Sequence, residues 1–319
     1  MNFSISAIIT TYNRAAFVTD AISSVFAQTH PVYELIIVDD GSTDSTELSV
    51  MALIESAPIP CRYIRKQNGG MASSLNRGVQ EASFDYIAFL DDDDLWSNDH
   101  IEICVSIFSM RPSVGCVMGL REKDGILQLP PENLLCPYQK IEKGLREGQV
   151  FNKDLLIYRR KDLSEPFYTS ALGTCLIEKK LVSSLGFDSE VGARLDIYFI
   201  WMLSEKTDIV LHLQSHGVAR QFRVSYISTD DDAPQKLKDE IMLKRNADEI
   251  RMLKKITSSN SSESFKRLFS KALIGRMYSY RRAGMFLNAL RSASRSNHRD
   301  PGVDTPHCRR DPWFFGSNR

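Results

Sequence analysis

Apolar and polar residues alternate along the first third of the chain in short blocks, and the blocks carry two different periods. Ser4 to Thr10 (SISAIIT), Tyr33 to Asp39 (YELIIVD), Arg62 to Lys66 and Tyr86 to Leu90 (YIAFL) are short apolar runs, which predict strands. Between them Val18, Ala21, Ile22, Val25 and Phe26 mark one helical face. Met71, Leu75, Val79 and Ala82 mark another, at i, i+4, i+8 and i+11. Strands alternating with helices are the pattern of a largely parallel sheet with crossover helices, so an α/β fold is expected.

The alternation continues less regularly. Ile101, Cys104, Val105 and Phe108 predict a helix capped by Ser97 and Asn98 and ended by Arg111-Pro112. Val114 to Met118 reads as a strand and Lys123-Asp124-Gly125 as a hairpin turn. Leu129 to Lys161, with Pro130, Pro131 and Pro137, reads as an excursion with little regular structure. Ala171 to Ile177 predicts a strand, Glu178 to Leu185 a helix stopped by Gly186, and Leu195 to Ser204 a helix. Ile209 to Leu213 and Val218 to Tyr226 predict two further strands.

The acidic, proline-ended stretch Ser228 to Pro234 is a boundary, beyond which composition shifts to helix formers and basic residues. Leu268, Leu273, Met277 and Tyr280, then Phe286, Leu287 and Leu290, predict two short helices turning at Arg282-Ala283-Gly284. From Asn297 onward the tail is expected to be poorly ordered. The expected organisation is therefore a domain over 1–230, with halves at 1–115 and 116–230, and a basic helical extension over 231–319.

Charge changes this picture in one place. The 319 residues hold 40 Lys+Arg and 40 Asp+Glu, so composition excludes a global attraction to nucleic acid. Residues 235–319, however, hold about 19 basic against about 8 acidic residues, roughly +11. That extension is expected to touch an anionic membrane surface or a partner, with a solvated helical face as the alternative. Six scattered cysteines without a C-x-x-C pair imply reduced thiols in a cytosolic protein rather than staples or a zinc site. MNFSISAIIT has no basic leader, and no apolar run approaches the ~20 residues of a membrane span. The expected location is cytoplasmic, with any membrane contact peripheral and on the inner face.

In an open parallel sheet ligands sit beyond the carboxyl ends of strands. There the chain places Thr10-Thr11-Tyr12-Asn13-Arg14, Asp39-Asp40-Gly41-Ser42-Thr43-Asp44, Asn68-Gly69-Gly70 and Asp91-Asp92-Asp93-Asp94. Each has a bland explanation: an Asx turn, a turn entering a helix, a solvated loop or an adventitious calcium site. Their recurrence on successive strand ends points instead to one polar crevice. Both Asp91/Asp93 and Asp92/Asp94 have the D-x-D spacing of a short divalent-metal motif, so spacing leaves the register open. Trp96 reads as an anchor beneath the aspartates in preference to a sugar-stacking platform.

The segments ISAIITTYNRAAFVTDAISSVFAQTHPVYELIIVDDGSTDST and KQNGGMASSLNRGVQEASFDYIAFLDDDDLW resemble the family 2 glycosyltransferases of GT-A fold. A weaker resemblance runs to about residue 228 through YTSALGTCLIEKKLVSSLGFDSEV and QFRVS. The resemblance implies a GT-A α/β fold, a mixed and mostly parallel sheet flanked by helices, with a C-terminal helical extension. It implies inverting transfer from a UDP-sugar to a hydroxyl of a glycan or lipid-linked glycan, assisted by Mg or Mn. It puts the metal ligand at Asp93, with Asp91 or Asp92 turned toward ribose or metal-bound water. Asp40 is implied at the uracil with Asp39 supporting its loop, Thr10 and Tyr12 completing the pocket, and Asn13, Asn68, Gly69 and Gly70 near the nucleotide.

Asp196 is the implied general base, with Asp188 as a fallback and a helix-capping role as the alternative for Asp196. Leu195 stands where relatives carry an acidic residue, and Ser225 where they often carry histidine. Those departures motivate a rival reading as a non-catalytic nucleotide-sugar binder; a transferase using another nucleotide is the enzymatic rival. Arg77 reads as a surface cation, and His212 and His216 as solvated strand-end histidines.

Overall fold

The computed structural model describes residues 3–128, 155–158, 172–220, 234–259 and 263–282. The chain divides into two compact units, Met1–Asp230 and Asp231–Arg319.

In the first unit, β1 (Ile5–Thr11), β2 (Glu34–Asp39), β3 (Cys61–Arg65) and β4 (Tyr86–Asp91) lie in the order β3-β2-β1-β4, all parallel. The crossover helices are α1 (Val18–Phe26), α2 (Thr46–Ile54) and α3 (Met71–Glu81). Ile5, Ile9, Leu35 and Ile37 are fully buried, as are Val18, Ala21 and Ile22 of α1. The helical period seen in the sequence is thus the face that α1 turns to the core. All six residues of β2 are buried, the expected signature of a strand covered on both faces.

The sheet then changes character. β4 is followed by β5 (Asp94–Trp96), α4 (His100–Met110), β6 (Val114–Lys123) and β7 (Ile126–Leu127). Further on come β8 (Leu155–Tyr158), β9 (Cys175–Glu178), α5 (Lys179–Leu185), α6 (Leu195–Ser204) and β10 (Asp208–Ala219). The sheet order continues β4-β9-β6-β10-β5, and β9 runs antiparallel to both β4 and β6. The β6–β7 hairpin turns where the sequence predicts it, at Asp124 and Gly125, both in the left-handed region (φ 54° and 74°).

Several expectations are corrected. The caps foreseen for α4 are not used. Asp99 is the N-cap residue without a side-chain bond, and the Gln28 carboxamide oxygen accepts the Ile101 N–H at 3.0 Å, replacing a local cap by a tertiary one. The strand predicted from Ala171 is a 3-10 turn over Leu172–Thr174 and becomes extended only at Cys175; Gly173 in that turn lies against Asp91, where a Cβ would come within 3.1 Å of its carboxylate. Within the supposed excursion, Leu155–Tyr158 is a strand paired antiparallel with β10. The strand expected over Ile209 to Leu213 runs on to Ala219 as β10 and so takes in the first residues of the next expected strand; its pairing with β6 shifts register between His212 and Ser215 and again before Val218. Those irregularities break the alternation and imitate a gap. Gln221 to Tyr226, Ser225 included, lie outside the described residues, as do the helix expected after Gly284 and the tail.

In the second unit, α8 (Glu263–Arg282) is the first helix of the expected pair, longer than foreseen, and it packs on α7 (Gln235–Ser259), a helix of the basic extension that the periodicity did not single out. Asn246 donates to the Ser279 hydroxyl at 2.7 Å. Among the described residues no helix is long and apolar enough to cross a membrane.

Candidate active site

Parallel register aligns the strand ends. Thr11 pairs with Asp39, Asp39 with Arg65, and Thr10 with Asp91, so three motifs remote in sequence meet along one edge. The β1 and β2 loops lock together there. Asn13 adopts φ 53°, its carboxamide oxygen accepts the Thr43 N–H at 2.7 Å, and its own N–H donates to the Ser42 hydroxyl at 2.8 Å. Asp39 accepts the Ser42 N–H at 2.7 Å and the Tyr63 hydroxyl, holding the loop.

Asp40 is buried and accepts the N–H groups of Gly69 (2.9 Å) and Gly70 (2.7 Å) and the ammonium of Lys66. Burial alone would raise its pKa, but these donors outweigh it and the carboxyl lies below the usual range. Gly70 holds φ 82° at the N-cap of α3, a conformation that lets its N–H turn back to Asp40 at no steric cost. A cavity of about 470 Å³ lies beside this corner, lined by Lys66, Gly69, Asn76, Arg77 and Phe187 among others. Thr10 is half-buried, Tyr12 and Asn68 are exposed, and Arg77 is a surface cation paired with Glu81 at 2.8 Å.

The aspartates divide. Asp91 ends β4, Asp92 and Asp93 form the turn, and Asp94 opens β5. Asp94 is buried in an ion pair with Arg121 of β6, whose guanidinium also reaches Asp91 at 3.4 Å. Arg220 donates from Nε to the Asp93 carbonyl at 2.8 Å and pairs with Asp20 at 2.7 Å, tying the turn to α1. Trp96 is buried, and its indole N–H donates to the Gly173 carbonyl at 2.7 Å, so it anchors the turn.

Carboxylate oxygens of Asp91, Asp93 and Asp94 come within 4.8 Å of one another. Burial, then mutual repulsion, drives Asp91 well above the ordinary carboxylate range despite Arg121, raises Asp93, and brings Asp92 to about 7. Hard oxygen donors under such repulsion suit a small divalent cation, so the residues present fit Mg or Mn.

Asp196 lies in the first turn of α6, behind the cap residue Arg194 rather than at the cap. Burial raises its pKa, and Arg121 and Arg194 oppose the rise; its charge is felt in turn at Asp91. The structure therefore brings Asp196 to the aspartate cluster across more than a hundred residues of sequence. Leu195 beside it is buried in the core. Asp188 instead caps the 3-10 turn Ser189–Arg194, accepting the Glu190 N–H at 2.9 Å.

The sequence profile of Glycosyl transferase family 2 matches residues 6–165. An uncharacterised glycosyltransferase of Rickettsia typhi is 37% identical over 239 residues, covering 74% of this chain and 68% of its own length. The chain belongs to glycosyltransferase family 2.

Another relative, an uncharacterised glycosyltransferase of Nostoc, is 40% identical over 121 residues, 38% of each chain. This family 2 chain thus spans well under two thirds of that relative's length, and 16% of the length of an uncharacterised glycosyltransferase of Rickettsia felis. Among solved structures, the Pyrobaculum calidifontis mannosyltransferase PcManGT in complex with GDP-Man and Mn2+ superposes with TM-score 0.58 at 17% identity, over 92% of this chain and 76% of that one. S. aureus TarS 1-349 in complex with UDP-GlcNAc gives 0.57 at 14% identity, over 92% and 89%. The fold is GT-A.

Sequence reasoning missed Arg121, Lys66 and Arg220, three cations that organise the carboxylates. Arg121 is the first charge after the apolar run Val114–Leu120, and Lys66 closes the third predicted strand just ahead of Asn68-Gly69-Gly70, which was the available signal. Arg220 carries none, because its partners Asp20 and Asp93 come from remote segments.

Proposed function

We propose that this chain is an inverting glycosyltransferase that moves a sugar from a UDP-sugar to an acceptor hydroxyl of a glycan or lipid-linked glycan. The observation that carries the reading is the meeting of Asp91, Asp93 and Asp94 within 4.8 Å, with Arg121 and Asp196 in the same electrostatic neighbourhood. Asp93 would hold the divalent ion together with Asp91, while Asp94 is committed to Arg121. A bound Mg or Mn ion supplies neutralisation of the charge that develops on the leaving diphosphate.

The chain's own residues divide the remaining work. Asp40, fixed by Lys66 and the Gly69-Gly70 amides, with Thr10 and Tyr12, frames the base pocket, and Asn68 borders it. Asn13 holds that pocket's two loops in register. Asp92 faces the ribose. Asp196, whose raised pKa makes it a stronger base than an ordinary carboxylate, takes the acceptor proton. Its usable window opens as pH rises through that elevated pKa, so the acid limb of the rate profile is expected above the ordinary carboxylate range. Residues 1–230 form the catalytic domain, and the basic 231–319 extension faces an anionic surface or acceptor.

Calorimetry with UDP and with GDP, each with and without Mn2+, followed by a donor-hydrolysis assay, tests the reading. Metal-dependent UDP binding with turnover supports it. Binding without turnover, indifferent to Asp196→Asn, identifies a non-catalytic binder. Preference for GDP identifies a transferase with another donor. A sheet of the same fold holds GDP-Man and Mn2+ in PcManGT and UDP-GlcNAc in TarS, so the nucleotide must be decided by measurement.

A further inference from the structure

Behind the aspartate turn lies a second cluster of ligating groups. His100 and Cys104 sit one turn apart on α4, and His216 projects toward them from β10; all three are buried. His100 Nδ1 and His216 Nδ1 are 2.7 Å apart, and the Cys104 sulfur is 3.8 Å from each. The other ring nitrogen of His216, Nε2, is bonded to His212 Nδ1 at 2.8 Å. Space for the His216 ring is made by Gly119, where any Cβ would overlap the ring at 1.8 Å.

We propose that His100, Cys104 and His216 form a buried site for one d10 transition-metal ion, zinc(II) or copper(I), separate from the acidic centre. With metal–nitrogen bonds of about 2.0–2.1 Å and a metal–sulfur bond of about 2.3 Å, tetrahedral angles put nitrogen and sulfur about 3.6 Å apart and two nitrogens about 3.3 Å apart. The sulfur–nitrogen edges already have nearly that length. Only the nitrogen–nitrogen edge, closed by a hydrogen bond, must open, by about half an ångström. The bond from His212 to the far nitrogen of His216 is the brace that ligating imidazoles carry, fixing tautomer and ring plane.

The chemistry of the donors agrees. Burial brings His100 down to about 3 and lowers His216, so both rings stay neutral with lone pairs to offer. Burial also pushes the Cys104 thiol up, and a cation reverses that penalty. On binding, the aquo ion sheds its waters, Cys104 releases its proton to solvent, and the proton between the facing nitrogens moves to the far nitrogen of His100. Two imidazoles and one thiolate select soft and borderline ions over the magnesium or calcium that a carboxylate cluster prefers.

The full chain, expressed with zinc and copper supplied and purified through a chelator that strips the acidic site, is assayed for bound metals by elemental mass spectrometry. Near-stoichiometric zinc or copper is expected, and which of the two is retained identifies the ion. Asp93→Asn should keep it. The nearly isosteric Cys104→Ser and His216→Gln should lose it by at least about tenfold, and His212→Gln should weaken retention about ten- to a hundredfold. A cobalt-loaded chain should show sulfur-to-cobalt charge transfer that Cys104→Ser abolishes. Folded wild type without either metal, or retention unchanged in folded Cys104→Ser, overturns the proposal.

Discussion

Two stretches of the same strand-end edge treat their carboxylates in opposite ways. At the β1–β2–β3 end, Asp40 and Asp44 have lowered pKa values because backbone and side-chain donors of the protein itself outweigh the cost of burial. At the β4–β5 end, Asp91, Asp92, Asp93 and Asp196 all have raised values, because burial, joined by mutual repulsion at Asp91, Asp92 and Asp93, exceeds what nearby cations and hydrogen bonds return. The first end is complete as folded, whereas the second gains from an incoming cation. Under the proposed function that difference would separate a pocket that positions a ligand from one that does chemistry on it, and it suggests experiments whose effects should differ in kind.

The largest effect should follow Asp93→Ala. Metal-dependent turnover, measured as UDP release, is expected to fall about 10³-fold or more with circular dichroism unchanged, and retained activity would remove the metal assignment. Asp196→Asn should cost about 10²- to 10⁴-fold in kcat, with UDP affinity in calorimetry preserved.

Stability should then move in opposite directions at the two ends. Asp40→Asn leaves the Lys66 ammonium without its carboxylate and is expected to destabilise by about 1–3 kcal/mol in denaturant titration. Asp91→Asn, in chelator, relieves repulsion and should leave the thermal midpoint unchanged or higher. A marked loss at Asp91 would erase the contrast.

A smaller effect concerns pH. Glu34 accepts Ser6 at 2.7 Å, the Ser83 N–H at 2.6 Å and Arg62 at 2.8 Å. Burial would raise its pKa, yet these bonds leave it below its ordinary 4.5. A lowered folded value contributes stability above the unfolded pKa and loses it as pH falls through the folded one. Glu34→Gln should therefore flatten the acid limb of thermal stability below about pH 4.5. Smallest of all, Trp96→Phe forfeits the bond to Gly173 and should cost about 1 kcal/mol, visible as a lowered midpoint.

Much of this was legible beforehand, for identifiable reasons. The parallel half obeys local rules: each strand is a short apolar run, each helix shows its buried face as a period, and each polar end follows directly. The motifs at Asp39-Asp40, Asn68-Gly69-Gly70 and Asp91–Asp94 could therefore be placed along one edge from spacing alone. The antiparallel half was read less well. β8 is an island of four residues, β10 hides its continuity behind register shifts, and α4 takes its first hydrogen-bond partner from Gln28. His212 and His216, read as solvated, are buried and bonded to one another.

What the sequence determined by itself is the α/β alternation, the strand ends that face one crevice and the supply of carboxylates there, because period, turn chemistry and charge are properties of neighbouring residues. Tertiary structure alone decided how those carboxylates differ. It set Arg121 against Asp91 and Asp94, kept Asp93 beside them, carried Asp196 to the same place, and gathered His100, Cys104 and His216 into the core. Each of these depends on distances between segments far apart in the chain, and electrostatic energy is set by distance and burial rather than by order along the sequence.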